Sequence, residues 1–129
     1  MAHQFGFDLK RPVRRGYLLK QGGTHKAFKN RYFVLYPGFL VYYNSEDKYV
    51  FDVARGTLGN RLHAIKLNKA EAHSAKYPPK GCHWGFTLFA PDPVNKRNGY
   101  LFNANDKDDR KEWILAIRRV VRKLMQLLK

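Results

Sequence analysis

Cationic side chains cluster in two short stretches near the start of this chain. Lys20 ends the apolar segment GYLLK, and Lys29 and Arg31 alternate in FKNRYFVLY, directly before a dense aromatic run. Lys26 lies between the two stretches. Ammonium and guanidinium groups form charge-assisted hydrogen bonds with phosphate and carboxylate oxygens. These residue types therefore indicate anion binding, provided that the fold aims the side chains at one point.

The elements that must position these cations are two β-strands. Alternate residues of a strand share one face, and one face of the second stretch carries Lys29, Arg31, Phe33 and Leu35. If Phe33 and Leu35 are core residues, Lys29 and Arg31 lie above the core on the same face, at the open end of the sheet. Lys20 has the same parity as Leu18, and nearby Gly22 and Gly23 leave backbone amides accessible to an anion. The competing interpretation is a solvated rim with no ligand.

Charge and cysteine content narrow the function classes. The chain has 129 residues and a net charge of +15, from 25 Lys and Arg against 10 Asp and Glu. Such an excess favours an anionic partner, either nucleic acid or an acidic membrane surface. The single cysteine, Cys82, forms no intramolecular disulfide, so we expect a reducing, cytoplasmic compartment. No apolar run approaches the roughly 18–20 residues of a membrane span.

The apolar pattern predicts a mostly β fold with one C-terminal helix. Seven short strands are predicted at 16–20, 28–36, 39–44, 53–58, 62–67, 83–89 and 99–104, with long loops at 68–81 and 90–98. From Asp106 the apolar residues follow helical spacing, and Asn105 or Asp106 can cap the helix. We expect a strongly bent sheet or barrel, with Trp113 of the helix plugging one end. Residues 1–13 read as a flexible leader or a boundary, and 14–129 as the domain.

Several of these segments together resemble the pleckstrin-homology domain family. They are GYLLKQGGTHKAFKNRYFVLYPGFLVYYN, RGTL, FTLF, GYLFNAN and DDRKEWILAIRRV, which span about residues 14–123. The resemblance implies a seven-stranded bent barrel capped by an amphipathic helix. In lipid-binding members, a basic pattern that matches Lys20 and Lys29-Asn30-Arg31 holds a phosphoinositide headgroup. Thr24 stands where tight polyphosphate binders often carry another base, which favours a simpler headgroup.

The chain is similar, more loosely, to the acylated pleckstrin-homology proteins of intracellular parasites, a group associated with phosphatidic acid sensing. In such a protein the acylated segment would precede Met1. The resemblance implies a monomeric, peripheral membrane-binding domain that recognises phosphatidic acid or a phosphoinositide and acts as a lipid sensor or targeting module. Lys20, Lys26, Lys29 and Arg31 are the expected headgroup contacts.

Other residues are secondary candidates. Arg55 follows the segment 45–54, which we expect to reach the same open end, and is assigned to the headgroup site. Tyr49, Val50 and Phe51 are either membrane-inserting residues or the start of a strand. Phe5 and Phe7 of the leader carry the same ambiguity, and His25 with Lys26 is either a loop tip or a contact.

Two rival functions remain open at the level of sequence. A protein-interaction module of the same fold would not need the large net charge. A nucleic-acid binder is disfavoured, because Phe33–Tyr36 fit only the end of an RNA-recognition signature that also needs alternating strands and helices. No enzyme motif is present. The spacings of His63, His73, Cys82 and His83 fit no zinc pattern, so we expect neither a metal nor a cofactor.

Overall fold

The computed structural model describes residues 6–24, 26–92 and 98–127. Phe5 and His25, both named above, lie outside these ranges. The described elements are β1 (Arg14–Gln21), β2 (Phe28–Tyr36), β3 (Phe39–Tyr43), α1 (Glu46–Arg55), β4 (His63–Lys66), β5 (Glu71–Ser74), β6 (Gly85–Phe89), β7 (Gly99–Asn103) and α2 (Lys107–Leu127). The strands form one antiparallel sheet in the order β4-β3-β2-β1-β7-β6-β5. This confirms the predicted fold class of seven strands with a C-terminal helix.

The sheet bends around a main apolar core, to which every strand contributes inward-facing residues. Representative buried residues are Leu18, Leu35, Leu40, Ile65, Ala72, Leu88 and Phe102. α2 covers this core with Trp113, which is only 1% exposed, as the sequence predicted. The helix begins with a reciprocal cap: Asp109 N–H donates to Asp106 Oδ1 at 2.7 Å, and Asn105 N–H donates to Asp109 Oδ2 at 3.0 Å. Both of the predicted cap residues therefore take part.

The prediction of a strand at 53–58 is wrong, because residues 53–55 form the last turn of α1 and residues 56–58 belong to no strand. Glu46 and Asp47 lie in the first turn of α1, where acidic residues suit the helix dipole. Gly56 ends the helix in a left-handed conformation (φ 67°), with its N–H bonded to the carbonyl of Val53. Left-handed backbone favours glycine, which explains the position of the helix end.

The remaining strand comes from the segment predicted as a loop. β5 occupies residues 71–74 within the predicted loop 68–81 and pairs with β6, so that Ala72 lies opposite Leu88. β5 is an edge strand, and Arg118 of α2 donates from Nε to the carbonyl of Ala72 at 3.0 Å. A strand of four residues with one buried side chain has too weak an alternation to be read from sequence.

A second apolar cluster covers the outer face of β1–β4. α1 packs there through Tyr49, whose ring lies 5.5 Å from the ring of Tyr32. Phe7 stacks on Tyr36 at 4.8 Å, and the Tyr36 hydroxyl donates to the carbonyl of Leu9 at 2.8 Å. Phe7 and Leu9 are both buried in this cluster, so Phe7 is a packing residue.

Candidate functional site

The end of the sheet where β1 stops and β2 starts brings the predicted cations together. We call this end the mouth. Lys20 lies directly opposite Lys29, and Leu18 lies opposite Arg31, in the antiparallel register of β1 and β2. Facing residues of such a pair point to the same side of the sheet. Since Leu18 is a core residue, the three cations share the inner face and stand above the core, as the alternation predicted.

The three cations sit at different depths in the mouth. Lys20 is only 9% exposed, whereas Lys29 is exposed and Arg31 is half-buried. The Lys20 ammonium lies 5.3 Å from the ring centroid of Tyr42 and 5.9 Å from that of Tyr100, within the range of cation–π attraction. Lys20 therefore forms the floor of the mouth, and Lys29 and Arg31 form its rim.

Like charges face each other across this ladder. The register places Lys20 directly opposite Lys29, and two cations in such a position on antiparallel strands repel each other. Within the described part of the chain, neither Lys29 nor Arg31 forms an ion pair with a carboxylate. Arg31 instead donates from Nη1 to the carbonyl of Asn30 at 2.9 Å.

Arginines elsewhere on β1 are neutralised by carboxylates. Arg14 contacts Asp109 of α2 at 2.6 Å, and Arg15 contacts Glu46 of α1 at 3.0 Å. Arg15 also donates to the hydroxyl of Tyr32, which is the main reason that its pKa is raised. Lys29 and Arg31 have no carboxylate partner among the described residues, so this contrast marks the rim of the mouth as the place where positive charge is available to an external anion.

Lys26 lies in the β1–β2 hairpin loop and lines a groove beside the mouth. The groove has a volume of about 610 Å³, and its lining includes Gly22, Gly23 and Tyr100. The ring of Tyr100 also lies 5.9 Å from the Lys20 ammonium. The groove of Lys26 therefore adjoins the mouth, although Lys26 lies outside the paired residues of the β1–β2 ladder.

Arg55 and the predicted insertion residues belong to α1, on the outer face. Arg55 lies over the ring of Phe51 at 4.3 Å and does not join the mouth cluster. Val50 and Phe51 are 54% and 49% exposed. Tyr49 is 5% exposed and packs between Tyr32 and Tyr43, so it is not available for membrane insertion.

The residues that sequence reasoning missed are the aromatic rings around Lys20. Tyr42 has the same parity on β3 as the core residue Leu40, and it packs on Phe33 with 5.0 Å between ring centroids. The ring of His63, on β4, meets Tyr42 edge-on at 6.3 Å. Strand parity could have placed Tyr42 on the inner face. Only the register of β7 against β1, which sets Phe102 opposite Lys20, brings Tyr100 close.

Neither a metal centre nor a membrane span is found in the described ranges. No group of three or more His, Cys, Asp or Glu residues there could hold a metal ion. None of the described helices combines the length and apolarity that crossing a bilayer requires. Cys82 is buried, and burial raises the pKa of its thiol, which disfavours the nucleophilic thiolate.

Comparison with known proteins gives consistent matches over most of the chain. A family model described as the PH domain matches residues 12–122. Rho GTPase-activating protein 25 of Homo sapiens is 28% identical over 112 residues, which cover 87% of this chain and 16% of that protein. Pleckstrin-2 of Homo sapiens is 32% identical over 112 residues, which cover 84% of this chain and 30% of that protein. This chain thus spans less than a third of either relative.

A solved structure with the same fold contains a bound ligand. The C-terminal PH domain of pleckstrin, in complex with D-myo-Ins(1,2,3,4,5)P5, matches with a TM-score of 0.62 and 27% sequence identity. The match covers 85% of this chain and 98% of that one. Both the family match and this structural match cover most of the chain.

Proposed function

Because this chain belongs to the PH domain family, a non-catalytic module, we propose that it is a peripheral membrane-binding domain that recognises an anionic phospholipid headgroup through the mouth. The observation that carries this proposal is that Lys20 and Lys29 lie directly opposite each other, with Arg31 two residues further along β2 on the same face. We expect the protein to act on the cytoplasmic side of a membrane, as a lipid sensor or targeting module.

An anion relieves the repulsion that the fold builds into the mouth. A phosphate between Lys20 and Lys29 replaces one unfavourable contact by two favourable ones, and the Arg31 guanidinium can fork onto two phosphate oxygens. Like charges that face each other cost stability in the free protein. Lys29 and Arg31 have no carboxylate partner among the described residues, whereas two arginines of β1 do, and this supports a binding role for the rim over a structural one.

The solved relative supports a phosphorylated headgroup. The C-terminal PH domain of pleckstrin binds an inositol pentakisphosphate, and it is 27% identical to this chain. For this chain we propose phosphatidic acid or a phosphoinositide, since both present a phosphate on a lipid. Thr24, in the β1–β2 hairpin, supplies no further positive charge for a highly phosphorylated ring.

The expected affinity of the mouth alone is modest. Each basic residue near an anionic surface contributes about 1 kcal/mol, so three of them give roughly 3 kcal/mol. Stable residence on a membrane then needs a second contact, such as an acyl chain or inserted apolar side chains. Exposed Val50 and Phe51 on α1 are candidates for that contact.

A flotation assay tests the proposal. The protein is mixed with phosphatidylcholine vesicles, either alone or carrying phosphatidic acid, a phosphoinositide or phosphatidylserine at matched surface charge. We expect flotation on acidic vesicles only, with a preference among headgroups at constant charge. Failure to float on any acidic vesicle would refute lipid binding and favour a protein partner, and equal flotation on all of them would reduce the mouth to a basic patch.

A further inference from the structure

We infer that Tyr42 and Tyr100 determine which headgroups the mouth accepts, because they fix the Lys20 ammonium at its floor for a phosphate monoester. This inference rests on the proposed lipid-binding function and adds positioning residues to it. The two rings lie 5.3 Å and 5.9 Å from the ammonium nitrogen. Their negative faces attract the cation and limit the positions that the lysine side chain can adopt.

Both rings are themselves held by the core. Tyr42 packs on the buried ring of Phe33, with 5.0 Å between the centroids. Tyr100 is buried and lies parallel to Phe102, with 6.3 Å between the centroids and 10° between the planes. A free lysine side chain loses rotamer entropy when it is immobilised. Because the two rings already restrict the Lys20 side chain in the free protein, less of this entropy is lost when a ligand binds, and the affinity is higher.

The depth of Lys20 restricts what can reach it. Lys20 is 9% exposed below the rim formed by exposed Lys29 and half-buried Arg31. A phosphate monoester has a single substituent and three free oxygens, so it can enter end-on, and its charge approaches −2 above a second pKa of about 6. A diester phosphate has substituents on two sides and one charge, so it contacts the rim and not the floor.

A comparison of monoester and diester vesicles tests this role. Phosphatidylcholine vesicles carry phosphatidic acid or phosphatidylinositol 4-phosphate in the monoester arms, and phosphatidylglycerol at equal zeta potential in the diester arm. The readout is the ratio of monoester to diester affinity for wild type, Tyr42→Phe, Tyr42→Leu and Lys20→Met. Tyr42 is chosen because it is only partly buried, whereas truncation of buried Tyr100 would disturb the core.

The expected pattern separates the ring from the hydroxyl. Tyr42→Phe retains the ring and should retain the ratio, while Tyr42→Leu should lower it about threefold to tenfold, the size of a partly desolvated cation–π contact. Lys20→Met, which retains the stem and removes the charge, should lower it at least as much. The monoester arm with the larger ratio identifies whether the phosphate belongs to phosphatidic acid or to an inositol ring.

A second readout needs no lipid. In NMR spectra of the free protein, the ε-methylene protons of Lys20 should be shifted upfield by ring currents in wild type and Tyr42→Phe, and less so in Tyr42→Leu. An unchanged ratio in Tyr42→Leu, an equal loss in Tyr42→Phe, or an unshifted Lys20 would overturn the inference while lipid binding stands. Wild type that binds no acidic vesicle would overturn the proposed function, and this inference with it.

Discussion

Replacing both rim cations by alanine, Lys29→Ala with Arg31→Ala, should weaken vesicle binding far more than it weakens the fold. Each side chain contributes about 1 kcal/mol near an anionic surface. We therefore expect a loss of about 2 kcal/mol for the pair, or roughly thirtyfold in dissociation constant.

The fold should tolerate this change. Lys29 is exposed, and the guanidinium of half-buried Arg31 is bonded only to the adjacent carbonyl among the described residues. Surface substitutions of this kind change the free energy of unfolding by about 0.5 kcal/mol or less. Removing Lys29 also removes its repulsion with Lys20, which should offset part of any loss.

A matched control is available on α2. Arg119 and Arg122 are both exposed, and changing them to alanine lowers the net charge by the same two units. Flotation on vesicles of phosphatidylcholine and phosphatidic acid, with thermal unfolding of each variant, measures both effects. An equal loss of binding in the two double variants would refute a site at the mouth and leave only diffuse charge.

Three further outcomes are expected. Raising the ionic strength from about 0.1 M to about 1 M shortens the screening length from about 10 Å to about 3 Å, so flotation should be largely lost; persistence would mean that electrostatics is not the driver. Val50→Ser with Phe51→Ser should weaken flotation but leave binding of a soluble inositol phosphate unchanged, if α1 supplies the second contact; unaltered flotation would exclude it. Burial raises the pKa of four tyrosines above the ordinary 10.0, and the folded state therefore favours the neutral phenols. The free energy of unfolding should keep its full value below pH 10 and should fall as the pH rises above 10. A melting temperature that stays constant above pH 10 would contradict the burial of Tyr32, Tyr36, Tyr43 and Tyr49.

The part of the site that follows from strand parity could be predicted from the sequence. Lys29 and Arg31 precede Phe33 and Leu35 with a period of two, and the structure places all four on the inner face. The period-two rule is local, so it holds before any tertiary contact is known. The inward direction of Lys20 followed from the same rule, but its pairing with Lys29 depends on the β1–β2 register, which only the structure gives.

The errors arise where tertiary contacts override local preference. Valine and aromatic residues in α1 have high β propensity, but the helix is stabilised by packing of Tyr49 and by the hydrogen bond from Glu46 N–H to the Tyr17 hydroxyl at 3.0 Å. The surroundings of Lys26 could not be predicted either, because the groove that it lines is completed by the neighbouring strands β6 and β7.

The pair of aromatic rings beside Lys20 shows a further limit of sequence reasoning. Tyr100 is eighty residues away along the chain and comes near Lys20 only because β7 pairs with β1 over two residue pairs. Nothing within either segment indicates this pairing. This contact makes Lys20 the floor of the mouth, although lysine is usually a surface residue. The three cations therefore lie at different depths and do not form a uniform basic rim.

The central claim, that the mouth is where the protein meets an anionic headgroup, is tested most directly by amide NMR spectra recorded during titration with short-chain phosphatidic acid. Saturable shifts should appear at the end of β1 and the start of β2, around Lys20 and Lys29, and should vanish in Lys29→Ala with Arg31→Ala. Shifts confined to α2, with the mouth unperturbed, would contradict the account.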